Sequence, residues 1–87
     1  MIDEGVRGFP CFYTFKVFGR RDDAFCERVR AVVAARAGAV ALDSVRVRTS
    51  EHGKYLCISI LTHLHSRDQM ELIYGDLRAE QDVLLCL

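Results

Sequence analysis

This sequence has no excess charge of either sign. Twelve lysines and arginines balance twelve aspartates and glutamates over 87 residues. Phosphate binding draws on a basic surplus, so the balance argues against nucleic acid as the main partner, although it leaves room for a local basic patch. No stretch approaches the ~20 apolar residues that span a bilayer, so no membrane contact is expected. The opening "MIDEGVRG" is acidic and no apolar run follows it, so no signal peptide is expected and the protein should be cytoplasmic. Repeats, linkers and low-complexity segments are absent. No two of the four cysteines (Cys11, Cys26, Cys57, Cys86) stand at a CxxC spacing, which removes the usual zinc signature. Outside a secretory context they read as reduced, small, apolar side chains. A chain this short holds one core, and with 51% apolar residues it can fold alone.

Residues 1–8 read as a loose polar tail, and residues 9–87 as the single domain. Pro10 is the one proline, and with no ladder donor it belongs at the start of a strand. "CFYTFKVF" follows as that strand, closed by Gly19. Asp22 or Asp23 can cap the next helix. Phe25, Val29, Val32 and Val33 share one helical face, and Gly38 is a natural stop, so a helix is predicted over 23–37. Val45 and Val47 alternate with Arg46 and Arg48, and Ile58 and Ile60 alternate with Cys57 and Ser59. The two runs flank "TSEHGK" and predict a hairpin, with Gly53 in its turn. "SRDQ" is a capping-box pattern at Ser66 and Gln69, and it opens a helix over 67–79. "DVLLCL" is a short apolar strand.

Strand, helix, strand, strand, helix, strand predicts an α+β fold. It is a two-layer ferredoxin-like βαββαβ sandwich with a four-stranded antiparallel sheet. The strand order should be 4-1-3-2, with both helices on one face, because right-handed crossovers place them on the same side. The helix-covered face takes Tyr13, Phe15, Val17, Val45, Val47, Ile58, Ile60, Val83, Leu85 and Leu87. The open face takes Phe12, Thr14, Lys16, Phe18, Arg46, Arg48, Tyr55, Cys57, Ser59, Leu61, His63, Leu84 and Cys86. An uncovered sheet face is normally polar, and this one mixes aromatics, leucines and cations. Contiguous apolar surface marks contact sites. Phe12, Lys16, Phe18, Arg46, Arg48, Tyr55 and Leu84 are therefore the candidate contact residues, for a protein partner or a second copy.

"FP" with "YTFKVFG", "VRVRTSEHGKYLCISI", "QMELIYGDL" and the terminal "VLLCL" carry a further signal. In this order they resemble the YbeD-like family of small bacterial proteins. The resemblance covers nearly the whole chain after the tail. It implies a ferredoxin-like fold similar to ACT domains, which are small effector-binding regulatory modules. No catalytic residue is carried over from it; no cofactor is expected, and the expected role is that of a non-enzymatic regulatory or adaptor domain. Family genes often lie near lipoate-attachment genes, which implies a link to lipoate metabolism. ACT-like effectors sit at the turn from the first strand to the first helix. Here that turn is "GRRDD", which makes Gly19, Arg20, Arg21 and Asp22 the candidate effector site; an arginine there can pair with a carboxylate.

His63 and His65 form an H-x-H pair, but a metal site needs a third or fourth ligand. Cys57 and Cys86 share that face by parity alone, so no metal site is assigned. Cys57 and His63 are about 20 Å apart on one extended strand, too far for a catalytic pair. The alternative to a protein-binding module is an RNA-binding one using Lys16, Arg46, Arg48 and Tyr55 on the open sheet. It lacks the full aromatic motif of such domains, because Cys57 stands where a second aromatic is wanted.

Overall fold

The computed structural model describes residues 8–22, 24–50 and 52–87. The expected tail over residues 1–8, Gly8 apart, and the capping role open to Asp23 lie outside the described residues. The elements are β1 (Cys11–Arg20), α1 (Phe25–Ala37), β2 (Val45–Thr49), β3 (Tyr55–Leu64), α2 (Arg67–Arg78) and β4 (Val83–Cys86). A short 3-10 turn, Leu42–Ser44, leads into β2. The sheet order is β2-β3-β1-β4, with every neighbouring pair antiparallel. This is the predicted order read from the other edge. No helix among the described residues is long and apolar enough to cross a membrane.

The helix layer and one face of the sheet close a single core. Phe15 and Val17 of β1 and Ile58, Ile60 and Leu64 of β3 bury fully against Phe25, Val29 and Val33 of α1. Met70, Ile73 and Leu77 of α2 complete it. Thr62 lies in the same row and is the one buried polar side chain among the described residues. Its hydroxyl donates to the Tyr13 carbonyl at 2.8 Å, so the burial leaves no orphan group.

Helix α2 starts where its cap chemistry says. The Ser66 hydroxyl accepts from the Gln69 N–H at 3.0 Å, and the Gln69 side-chain oxygen accepts from the His65 N–H at 2.6 Å. The same Gln69 amide donates to the Arg36 carbonyl at 2.8 Å, tying the start of α2 to the end of α1. Replacing Ser66 with alanine should cost about 1 kcal/mol in a urea melt. Helix α1 begins later than predicted. Ala24 occupies its cap position without a side-chain bond. The Asp22 carboxylate accepts from the Ala24 N–H at 3.4 Å, and the Asp22 carbonyl accepts from the Phe25 N–H at 3.0 Å. Gly38 and Gly53 have the positive φ values, +86° and +73°, that a helix stop and a tight turn require.

Three sequence assignments change. First, Gly19 does not close β1. The strand runs through it to Arg20, with Gly19 paired to Leu56 on one side and Val83 on the other. Second, Val47 is 46% exposed. β2 is an edge strand with a single neighbour, so helix cover thins there, from half-buried Val45 to exposed Val47.

The third change is in β4. Phe18 pairs with Leu85, but Gly19 pairs with Val83, so Leu84 is an extra residue, a β-bulge. One extra residue reverses the face of everything beyond it. Cys86 pairs with core residue Val17 and packs against the core, not on the open face. Leu85 and Leu87 join the open face instead, at 52% and 55% exposure. Leu87 exchanges both backbone hydrogen bonds with open-face Lys16, at 2.9 and 2.7 Å.

Candidate functional site

The open face can be read row by row across the strands. Arg48, Cys57, Phe18 and Leu85 make one row. Arg46, Ser59, Lys16 and Leu87 make the next. Tyr55 lies opposite Arg20 at one end, and His63 lies opposite Phe12 at the other. The Phe12 and His63 rings are 4.9 Å apart, and His63 and His65 are 5.1 Å apart. Phe12 is 73% exposed.

Charge is divided between the layers. The strands carry Lys16, Arg20, Arg46 and Arg48 and not one carboxylate. Every described aspartate and glutamate lies on a helix or in a turn. The ion pairs among described residues all use arginines of α1. Arg36 meets Asp76, Arg30 meets Glu27, and Arg28 sits among Asp22, Glu80 and Asp82. Among the described residues the strand cations have no such partners, so a net charge of zero conceals a cationic sheet face.

Lys16, Phe18, Arg48, Tyr55, Cys57 and Ser59 line a shallow hollow of about 370 Å³ on this face. Of the predicted contact residues, Lys16, Phe18, Arg48 and Tyr55 thus meet at one place. Arg46 flanks it on the neighbouring row, Phe12 stands at the far end, and Leu84 is exposed at the β4 bulge.

The predicted effector residues do not converge. A Cβ on Gly19 would lie 2.6 Å from a ring carbon of Phe25 and 2.5 Å from the Asp82 carbonyl oxygen, so the space beside it is filled from within. Arg20 belongs to the sheet face. Arg21 turns to the hairpin, its N–H donating to Lys54 and its guanidinium to Gly53. Asp22 pairs with Arg28 at 3.0 Å, and Arg28 reaches Asp82 at 2.7 Å, which ties this turn to the one before β4. Arg20 as a sheet-face cation was legible only by letting the strand continue through Gly19.

The chain belongs to a family of proteins of unknown function, DUF493. Its family model matches residues 6–87. UPF0250 proteins are its relatives. One from Vibrio cholerae is 36% identical over 69 residues, covering 79% of this chain and 73% of the relative. One from Pseudomonas aeruginosa is 31% identical over 80 residues, covering 91% and 86%. One from Nitrosomonas europaea is 26% identical over the full length of both. In fold, the chain is similar to a protein of H. pylori solved in solution. The TM-score is 0.73 at 12% identity, with 91% of this chain and 82% of that one covered. It is also similar to the ACT domain of GTP pyrophosphokinase from Chlorobium tepidum. There the TM-score is 0.69 at 9% identity, with 88% and 83% covered. The family and the ACT-like, ferredoxin-like fold that the motifs implied are therefore both present.

On the helix side, Tyr13 and Tyr74 share a hydrogen bond of 2.5 Å between their hydroxyls. Burial first, then this bond, pushes the Tyr74 phenol far above its ordinary 10.0. The folded state therefore favours the neutral phenol. Its contribution is fully present below about pH 10 and is lost as pH rises beyond the unfolded value. Thermal melts between pH 9 and pH 12 should show the native chain losing more stability than Tyr74→Phe; equal losses would contradict this.

Proposed function

We propose that this chain is a non-catalytic regulatory or adaptor domain that presents its uncovered sheet face to another protein. The observation that carries the reading is the composition of that face. Phe12, Leu61, Leu85 and Leu87 are exposed there beside four cations, and among the described residues the strands carry no acidic side chain. Large exposed apolar surface marks interaction sites. The partner proposed is a different protein. The four cations of this face match a partner surface that carries acidic side chains, because charge complementarity across an interface steers docking and fixes register. The fold shared with an ACT domain agrees with a regulatory role but does not select one.

The test compares proteins captured from the source cell by the native chain and by Leu85→Ser, which removes an exposed side chain and should leave the melting temperature nearly unchanged. At least one protein should be held by the native chain and lost by the variant. Identical captured sets would sink the reading. Sedimentation up to near-millimolar protein should show a monomer.

Single-stranded RNA is the second reading. It is favoured by the four strand cations together with Phe12, Phe18 and Tyr55 on the two central strands. Mixed oligonucleotides at low salt should then shift sheet amides, with affinity falling steeply as salt rises. Silence on the sheet ends it.

A further inference from the structure

Cys57 and Ser59 are successive open-face residues of β3, and both are small. Their cross-strand neighbours are large. Arg48 and Phe18 flank Cys57, while Arg46 and Lys16 flank Ser59. A small pair on a central strand between long side chains on both sides makes a trough. Its walls stand on β2 and β1, roughly 10 Å apart, twice the strand spacing. Tyr55 bounds the end nearest the hairpin.

We propose that this trough binds a small organic anion, a carboxylate or phosphate monoester carried on a flat apolar body. The proposal rests on the open face being the working surface, and it names what that surface holds besides protein. Three features carry it. Cations stand on both walls and, among the described residues, no acidic side chain stands on these strands beside them, so an anion between the walls meets charge from either side. Guanidinium groups offer forked donors that match carboxylate and phosphate oxygens. The rest of the lining, Phe18, Tyr55 and the Cys57 thiol, suits an apolar body. The volume of about 370 Å³ falls in the range of roughly 300–1,000 Å³ typical of small-molecule sites. It also lies on a different surface from the β1–α1 turn, where Phe25 fills the space beside Gly19.

The experiment is an amide shift titration of the full chain with phenylacetate and with phenyl phosphate. Phenylacetamide, phenethylamine, acetate and inorganic phosphate are run beside them. Both aromatic anions should move the amides of Lys16, Phe18, Arg48, Tyr55 and Cys57. The neutral amide should bind about tenfold more weakly or worse, a tenfold ratio being one decade in Kd. The amine should not bind. The tighter of the two anions identifies the natural head group. Arg48→Met and Lys16→Met should each weaken the anions about tenfold, the scale of a lost charge-assisted hydrogen bond. Cys57→Phe should fill the floor and abolish binding while its melting temperature stays near that of the native chain. The site is refuted by equal binding of acid, amide and amine, by shifts confined to the helix side, or by none through about 10 mM. If the anions fail while Leu85→Ser still loses a captured protein, the anion site falls and protein docking stands. If the anions bind while the captured sets are identical, docking falls and the site stands.

Discussion

Phe15→Ala should come close to unfolding the domain. Phe15 is fully buried at the middle of β1, a central strand of the sheet. Its ring meets Tyr13 edge-on at 5.0 Å and Tyr74 at 4.9 Å, so it joins the sheet to α2. Truncating a buried phenylalanine costs about 3–5 kcal/mol. Each lost aromatic pair adds about 0.5–1.5 kcal/mol. A domain of this length holds on the order of 4–13 kcal/mol in total, so the loss is a large share of everything available. The check is urea denaturation, in which the midpoint should fall steeply. Phe12→Ala is the matched control, three residues earlier on the same strand but pointing to the open face. It should change stability by less than about 0.5 kcal/mol. Similar losses in the two variants would mean that the faces of β1 are wrongly assigned.

Gly19→Ala should be the second large effect, although it adds only a methyl group. That carbon would lie 2.6 Å from the Phe25 ring and 2.5 Å from the Asp82 carbonyl oxygen. The ring is fully buried and the oxygen belongs to backbone at the entry to β4, where the Arg20 N–H donates to it at 3.1 Å. Neither can move freely. Overpacking of this kind costs about 1–3 kcal/mol, and a backbone obstacle puts it at the upper end. Adding Phe25→Leu should return part of the loss, because it relieves one of the two clashes. A double-mutant cycle should therefore be non-additive. Simple additivity would remove the ring from the explanation. Gly75→Ala should act in the opposite direction. It sits inside α2 with nothing within 4 Å of a new Cβ, and alanine in a helix is favoured there by up to ~1 kcal/mol.

These residues also show what can be read before a structure. The capping box at Ser66 and Gln69 spans a few residues, so its chemistry is visible in the string itself. The alternation in β1, β2 and β3 is equally local, and the face of each aromatic on β1 follows from it. The β4 face was misread for the complementary reason. A bulge at Leu84 leaves no periodic trace in so short a strand, and it becomes visible only when β4 is laid against β1. Gly19 was recognisable as a special position, but its purpose was not. A glycine that stops a strand and one that admits a ring from a following helix look alike in sequence.

The net charge misled in the same way. Twelve of each sign read as neutrality. Strands enriched in lysine and arginine but free of acid read as cationic only once they lie side by side. The sequence by itself determined the order of elements and the family, and the strand order followed from that element order through the right-handed crossover rule. It could do so because helix periodicity, strand alternation and cap chemistry act between residues close along the chain. Only the tertiary structure decided the face of β4, the filling of the space at Gly19, the paired walls of the trough and the separation of charge between layers. Each of those depends on which distant segments become neighbours, and that is set by cross-strand register and packing between layers.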